Sequence, residues 1–283
     1  MLRHSNKQNC CLAMSRYGQR TRVGQAVSTF GQQISTLISV DFLVGAGGGS
    51  PGTAAEQCGG GGAGGVRSSV SPTGGGGSPE SALSINQGDF YLVQVGAGGA
   101  FSTIGVDSIF HTVTSKGGGI GGTRADGTSG GSGGGAGDSG SPTKLGGAGT
   151  AGQGFAGGNN ANSNEAGGGG GAGGVGGVPS VNVGGAAGIG ISNSITGSAV
   201  TYGVGGLGGG GLNSGGSSAA NVSKGGDSGA STSFVGGSGV VILRYLDSYT
   251  ITIGAGLTGT ESASSGGLKR ATITAGIGTV SFA

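Results

Sequence analysis

The sequence predicts an all-β protein in which polyglycine II helices stack into a body flanked by β-strands and hairpins. Three observations carry that expectation. The chain has 79 glycines in 283 residues, they are concentrated in one long central region, and short apolar runs of strand character stand before, within and after it. A collagen triple helix needs glycine at every third position and abundant proline. Runs such as Gly167 to Gly171, with 5 prolines in the whole chain, exclude it. Disorder is the competing reading, because glycine loses the most backbone entropy on ordering and few large side chains offset the loss. Such chains usually carry a high net charge, however, and here it is +2. A flexible spacer is monotonous and polar, whereas this region is dotted with residues such as Val66, Ile120, Phe155, Val175, Val178, Ile189, Leu207 and Phe234.

Glycine is distributed unevenly, with 3 in residues 1–40, 69 in 41–239 and 7 in 240–283. Three parts follow: a basic attachment segment over 1–40, a glycine-rich body over 41–245 and a small β-unit over 246–283. The first part holds Arg3, Lys7, Arg16, Arg20 and Arg22 and no acidic residue. Val23, Val27, Phe30, Ile34 and Leu37 follow the spacing of one helical seam, a candidate oligomer or docking surface, although Gly24 and Gly31 weaken a helix there. The overlapping alternation Ile38, Val40, Phe42, Val44 favours a strand running into the glycine region. A short helix and an extended strand are equally compatible with these residues.

From Ser81, "SALSINQGDFYLVQVGAGG" reads as strand, turn, strand, with Leu83 and Ile85 alternating, a turn at Asn86 to Asp89, and Phe90 to Val95 following. "VDSIFHTVTSKGGG" reads as a further strand. "GSAVTYG", "SGVVILRYL", "SYTITIG", "RATITAG" and "GTVSF" supply more. "YLVQVGAGG" and "YTITIGAGL" echo each other on the two sides of the glycine region. Between the strands, polyglycine can form a left-handed extended helix of three residues per turn, rising about 3.1 Å per residue, with no internal hydrogen bonds. Its backbone groups must then pair with neighbouring segments. Without β-carbons the segments approach closely enough to do so, and the scattered Val, Leu and Phe would cover the outer faces.

The blocks "FLVGAGGGSPG", "YLVQVGAGG", "DSIFHTVTSKGGG", "GTAGQGFAGG", "ISNSITGSAVTYG" and "GGSGVVILRY", in that order, resemble the glycine-rich domain proteins of bacteriophages of marine and cyanobacterial type. The resemblance covers roughly residues 41–245. It implies a non-enzymatic virion structural protein, a tail fibre or fibre-tip adhesin engaged in host attachment at the virion surface. Other virion proteins and a host surface glycan or protein would be its partners, and a homo-oligomer, with a trimer favoured, its state. The loops "RADGTSGG" and "NNANSNEA", with Arg124, Asp126, Asn159, Asn160, Asn162 and Asn164, are candidate receptor contacts. Arg16, Arg20 and Arg22 are candidate virion-docking charges. A capsid-decorating or head-fibre protein and a cell-surface filament subunit are the alternatives.

Chemistry-bearing motifs carry little weight in such a composition. GxGxxG arises by chance, and no GxxxxGK[ST] string occurs. "GGSGG" at 130–134 matches a nucleophile elbow, but nothing helical follows it. His4 and His111 are the only histidines, and His111 reads as structural. Cys10, Cys11 and Cys58 give no metal spacing and no disulfide framework. No catalytic, cofactor-binding or metal residue is expected, and no cofactor. The basic segment has only Tyr17 for base stacking, so no nucleic acid is expected as partner. No apolar run is long enough for membrane insertion, and no secretion signal is evident.

Overall fold

The computed structural model describes residues 36–53, 58–138, 143–160, 165–211, 219–228 and 234–283, which belong to one unit, Leu37–Ala283, apart from Thr36. They are all-β. In chain order the strands are β1 (Leu37–Gly45), β2 (Val66–Ser68), β3 (Leu83–Asn86), β4 (Tyr91–Val95), β5 (Ser108–Phe110), β6 (Val113–Ser115), β7 (Ile191–Asn193), β8 (Val200–Tyr202), β9 (Val240–Leu246), β10 (Ile251–Ile253), β11 (Leu257–Glu261) and β12 (Leu268–Phe282). A single 3-10 turn at Gly74–Gly76 is the sole helical element among the described residues.

Ten strands form one antiparallel sheet whose main path is β2-β1-β9-β12-β4-β5-β6, with β3 on β1 and β10 and β11 on β12. At its centre, β1 and β9 read as nearly unbroken apolar runs because both faces are covered. Ile38, Val40, Phe42 and Val44 of β1 and Val241, Leu243 and Tyr245 of β9 face one core, with Tyr91, Val93, Phe110, Ile273, Val280 and Phe282. Leu43, Val240 and Ile242 face a second, completed by Val66, Ala172, Ile195 and the β7–β8 hairpin through Ile191 and Tyr202. The one charged pair between these strands falls in register, Asp41 opposite Arg244, with Nη2 to Oδ2 at 2.7 Å.

β12 is the spine of the sheet. Its first half pairs with β9 through Leu268–Ile273 and its second half with β4 through Gly276–Val280. Gly276, at φ 100°, marks the change between the two, a conformation that glycine adopts without steric penalty. The echoed sequences meet here, since Val280 is paired with Tyr91 of β4 on one side and with Ile253 of β10 on the other. The stretch expected as one strand around His111 is instead the hairpin β5–β6. His111 sits at φ 52° in its turn, exposed, with its ring edge-on to Tyr91 at 5.0 Å. A positive φ at the first residue of a two-residue hairpin loop matches the twist of the flanking strands.

Between strands, the glycine segments pair backbone groups with one another at a strict three-residue interval. Residues 58–65 are the clearest case. Gly59, Gly62 and Gly65 donate to the carbonyls of Gly122, Gly119 and Lys116. Gly60 and Ala63 donate to Gly167 and Gly170, and Gly61 and Gly64 to Gly226 and Ser223. The carbonyls accept in the same rhythm: those of Gly60 and Ala63 from Gly135 and Ser132, those of Cys58 and Gly61 from Gly209 and Gly206, those of Gly62 and Gly65 from Gly49 and Ala46. Six segments thus surround this one, and its donors from Gly59 to Gly65 all bond at 2.8–3.0 Å. Residues 166–171 are enclosed in the same way. They donate to the segments holding Gly206 and Gly209, Gly133 and Ala136, and Gly174 and Gly177, and accept from those holding Gly185 and Gly188, Gly60 and Ala63, and Phe155 and Gly158. At the glycine positions a side chain has no room. A β-carbon on Gly61, Gly62, Gly169 or Gly170 would come closer than 3.0 Å to a neighbouring carbonyl oxygen.

Candidate functional site

The hydrogen-bond register gives the glycine body two distinct ends. Segments leave and rejoin the strands at one end, where Gly45, Val66, Val95, Ser115 and Val240 lie. At the other end Gly122, Ala136, Gly158, Gly177 and Gly209 stand level with Cys58 and residues 166–168, as their mutual bonds require, and the described chain turns beyond Gly122 and Gly177. The turns around 123–126, 143–146, 159–160, 178–183 and 209–211 therefore gather at the end remote from the sheet.

Polar side chains at this end hold the turns by accepting from backbone donors. Three successive N–H groups, those of Lys144, Leu145 and Gly146, donate to Asn160 Oδ1 at 2.8 Å, Asp126 Oδ1 at 2.9 Å and Asn159 Oδ1 at 2.9 Å. Asn160 is fully buried and also donates through Nδ2 to the Gly137 carbonyl at 3.1 Å. The two loops singled out in the sequence thus converge on one strip of chain. Arg124 lies beside them, exposed and at φ 49°. Asn162 and Asn164 lie outside the described residues. So do Arg16, Arg20, Arg22, Val23, Val27, Phe30 and Ile34. Leu37, the last residue of the expected seam, begins β1 and is 65% exposed.

Sequence reasoning misses two acids with similar work. Glu165 is buried and accepts the Asn182 N–H at 2.8 Å. Asp227 is buried, takes the Leu207 N–H at 2.9 Å and receives Lys224 Nζ at 2.6 Å. The available signal is a lone acid at the boundary of a glycine run, where turning leaves backbone donors without a neighbouring carbonyl. Cys58 is buried at the same end, its thiol donating to the Thr53 carbonyl at 2.7 Å.

A depression of about 410 Å³ lies elsewhere, lined by Ile104, Asp107, Lys116, Ser129, Ala148 and Thr150 among others. Its charged groups and the Thr150 hydroxyl are engaged. Asp107 accepts from Lys116 Nζ at 2.7 Å and from the Gly117 N–H at 2.8 Å, and Thr150 donates to the Gly130 carbonyl at 2.8 Å. The hydrogen bond to Asp107, and then its charge, raise the Lys116 ammonium above its ordinary pKa, so the lysine stays a cation rather than a base. Ser132, the serine of the "GGSGG" string, is fully buried, with no hydrogen-bond partner for its hydroxyl among the described residues. Among the described residues no three His, Cys, Asp or Glu side chains come together as metal ligands, and no helix is long and apolar enough to cross a membrane. What the loop end shows is a set of turns held by side chains that accept from backbone donors, with Arg124 exposed among them. Comparison with family models, with curated proteins and with solved structures finds no match for this chain.

Proposed function

We propose that this chain is a non-enzymatic bacteriophage virion protein, a tail fibre or adhesin that carries polar recognition loops on a body of packed polyglycine II helices. The observation that supports the reading best is the three-residue register with six neighbours around 58–65 and 166–171. A helix of three residues per turn without internal hydrogen bonds presents its donors and acceptors in just that rhythm. A body of this kind replaces an apolar core with a hydrogen-bonded lattice and fixes the direction in which its turns point. The strand end, which follows residues 1–40, then faces the particle, and the loop end, where Asp126, Asn159 and Asn160 hold the turns and Arg124 is exposed, faces the host. Glycan or protein on the host surface is the partner that hydrogen-bonding loops suit. The basic N-terminal segment docks on other virion proteins, and its apolar seam builds a homo-oligomer, a trimer.

The location of the chain on the particle tests this reading. Gold-labelled antibody against residues 246–283 is expected at the tail tip of intact virions, and the purified protein is expected to bind host cells and block adsorption. Label spread over the capsid, with no binding to cells, would overturn the proposal in favour of a head-fibre or decoration protein.

A further inference from the structure

Inner and outer glycine segments differ in one respect. Residues 58–65 and 166–171 carry nothing larger than alanine or cysteine, whereas the outer segments bear a side chain at every third residue, on the side away from the body. Val175 and Val178 are 63% and 56% exposed, Ile189 is 68% exposed and Ala186, three residues before it, is exposed as well. Leu145, Ala148 and Ala151 repeat the spacing on another outer segment, all exposed. The two segments through Val175 and Ile189 are neighbours, joined by the bond from Gly177 to Ala186. The N–H groups of Val175, Val178, Ala186 and Ile189 find no backbone acceptor among the described residues. This edge therefore holds unused donors at the spacing by which the segments recognise one another.

We infer that Val175, Val178, Ala186 and Ile189 are edge guards that stop the lattice from adding a further glycine segment, the excluded partner being a second copy of this chain. Neighbouring segments pack so closely that a β-carbon on Gly168, Gly176 or Gly185 would meet a carbonyl oxygen at less than 3.0 Å. A segment approaching the open donors would meet valine and isoleucine side chains first and could not close to hydrogen-bonding distance. The edges of β-sheets are protected on the same logic, by residues that make pairing with another chain unfavourable. A second copy is the relevant partner because each chain brings 69 glycines in residues 41–239. The inference rests on the packed-helix reading of the body and is independent of host attachment.

The test compares two full-length variants with the parent by light scattering across a concentration series. Val175→Gly/Val178→Gly/Ala186→Gly/Ile189→Gly removes the guards and is expected to associate, its mass rising with concentration to at least twice that of the parent. Val175→Thr/Val178→Thr/Ile189→Thr keeps side chains in place while lowering their hydrophobicity, and is expected to match the parent. A folded glycine variant that keeps the parental mass overturns the inference. So does a threonine variant whose mass falls below that of the parent, because the ridge would then be an apolar interface. Should the quadruple variant not fold, Ile189→Gly alone carries the same expectation; its unfolding would also overturn the inference, since a side chain that only guards an edge supports nothing beneath it. Failure of the packed-helix reading is seen separately, as tolerance of Gly169→Val.

Discussion

Gly169 and Gly211 are the same residue in similar runs, and their surroundings assign them opposite tolerances. Gly169 donates to the Gly206 carbonyl and accepts from Gly188, and a β-carbon there would come closer than 3.0 Å to the carbonyl oxygens of Gly61 and Gly60. Around Gly211 the nearest atom to a built β-carbon, among the described residues, is the Asn182 carbonyl oxygen at 3.9 Å. Gly169→Val forces backbones apart and breaks bonds that nothing replaces, so its cost exceeds the roughly 1–3 kcal/mol usual for overpacking. Gly211→Ala removes freedom from the unfolded chain alone and should change stability by less than about 1 kcal/mol, in the stabilising direction. Urea unfolding midpoints of the two variants check both, and equal tolerance at the two sites would contradict a packed body. The polar residues show what sequence leaves open at this scale. Asn159, Asn160 and Asp126 are legible as loop residues, yet a loop amide can face a ligand or satisfy a turn, and only the position of the donors at 144–146 says that these three do the second.

At the scale of elements, the strands were legible wherever apolar alternation or an apolar run was long enough. β1, β4 and β9 follow Ile38 to Val44, Tyr91 to Val95 and Val240 to Leu246 directly. The break at His111 was not, because Ile109, His111 and Val113 keep the alternation and only the backbone turn separates β5 from β6. In the glycine region a usable code is present. Tracts with no large side chain, 58–65 and 166–171, are central, and tracts with a side chain every third residue, such as 175–178 and 204–207, are peripheral. Which tract neighbours which is not written in any tract, since identical backbones pair without side-chain selection. The β7–β8 hairpin supplies a titration readout of its own packing. Tyr202 is 2% exposed, and burial of its hydroxyl raises its pKa from 10.0 to about 12. The unfolded chain loses this proton first, so the stability tied to the protonated Tyr202 hydroxyl is complete below about pH 10 and is lost as pH rises towards about 12. Tyr202→Phe should therefore flatten the alkaline decline of the unfolding midpoint while leaving its shape near neutrality unchanged; an identical decline in both proteins would mean that the hydroxyl is not buried.

For the molecule as a whole, the decisive element is the last one in the chain. The composition shift after residue 239 marks 246–283 as a candidate unit of its own, while β12 lies between β9 and β4 and contributes Ala271, Ile273, Val280 and Phe282 to the main core. Removing residues 246–283 would leave β9 paired only with β1, and β4 only with β5, exposing two long apolar strand edges of the kind that aggregate. It would also uncover Tyr245, whose ring packs edge-on against Phe282 at 5.0 Å and whose hydroxyl donates to Glu261 at 2.6 Å. The glycine body cannot compensate, because its segments hang from the strands and gain little from apolar burial. A chain ending at residue 245 is thus expected to be insoluble or to lack the native far-UV spectrum, and a separate 246–283 peptide to remain unfolded alone, with only β10, β11 and β12 to pair. Mixing the two during refolding should restore soluble complex, because the missing ladders on β9 and β4 are the ones that the peptide supplies. A soluble, cooperatively unfolding 1–245 fragment would instead show that the body folds without its spine.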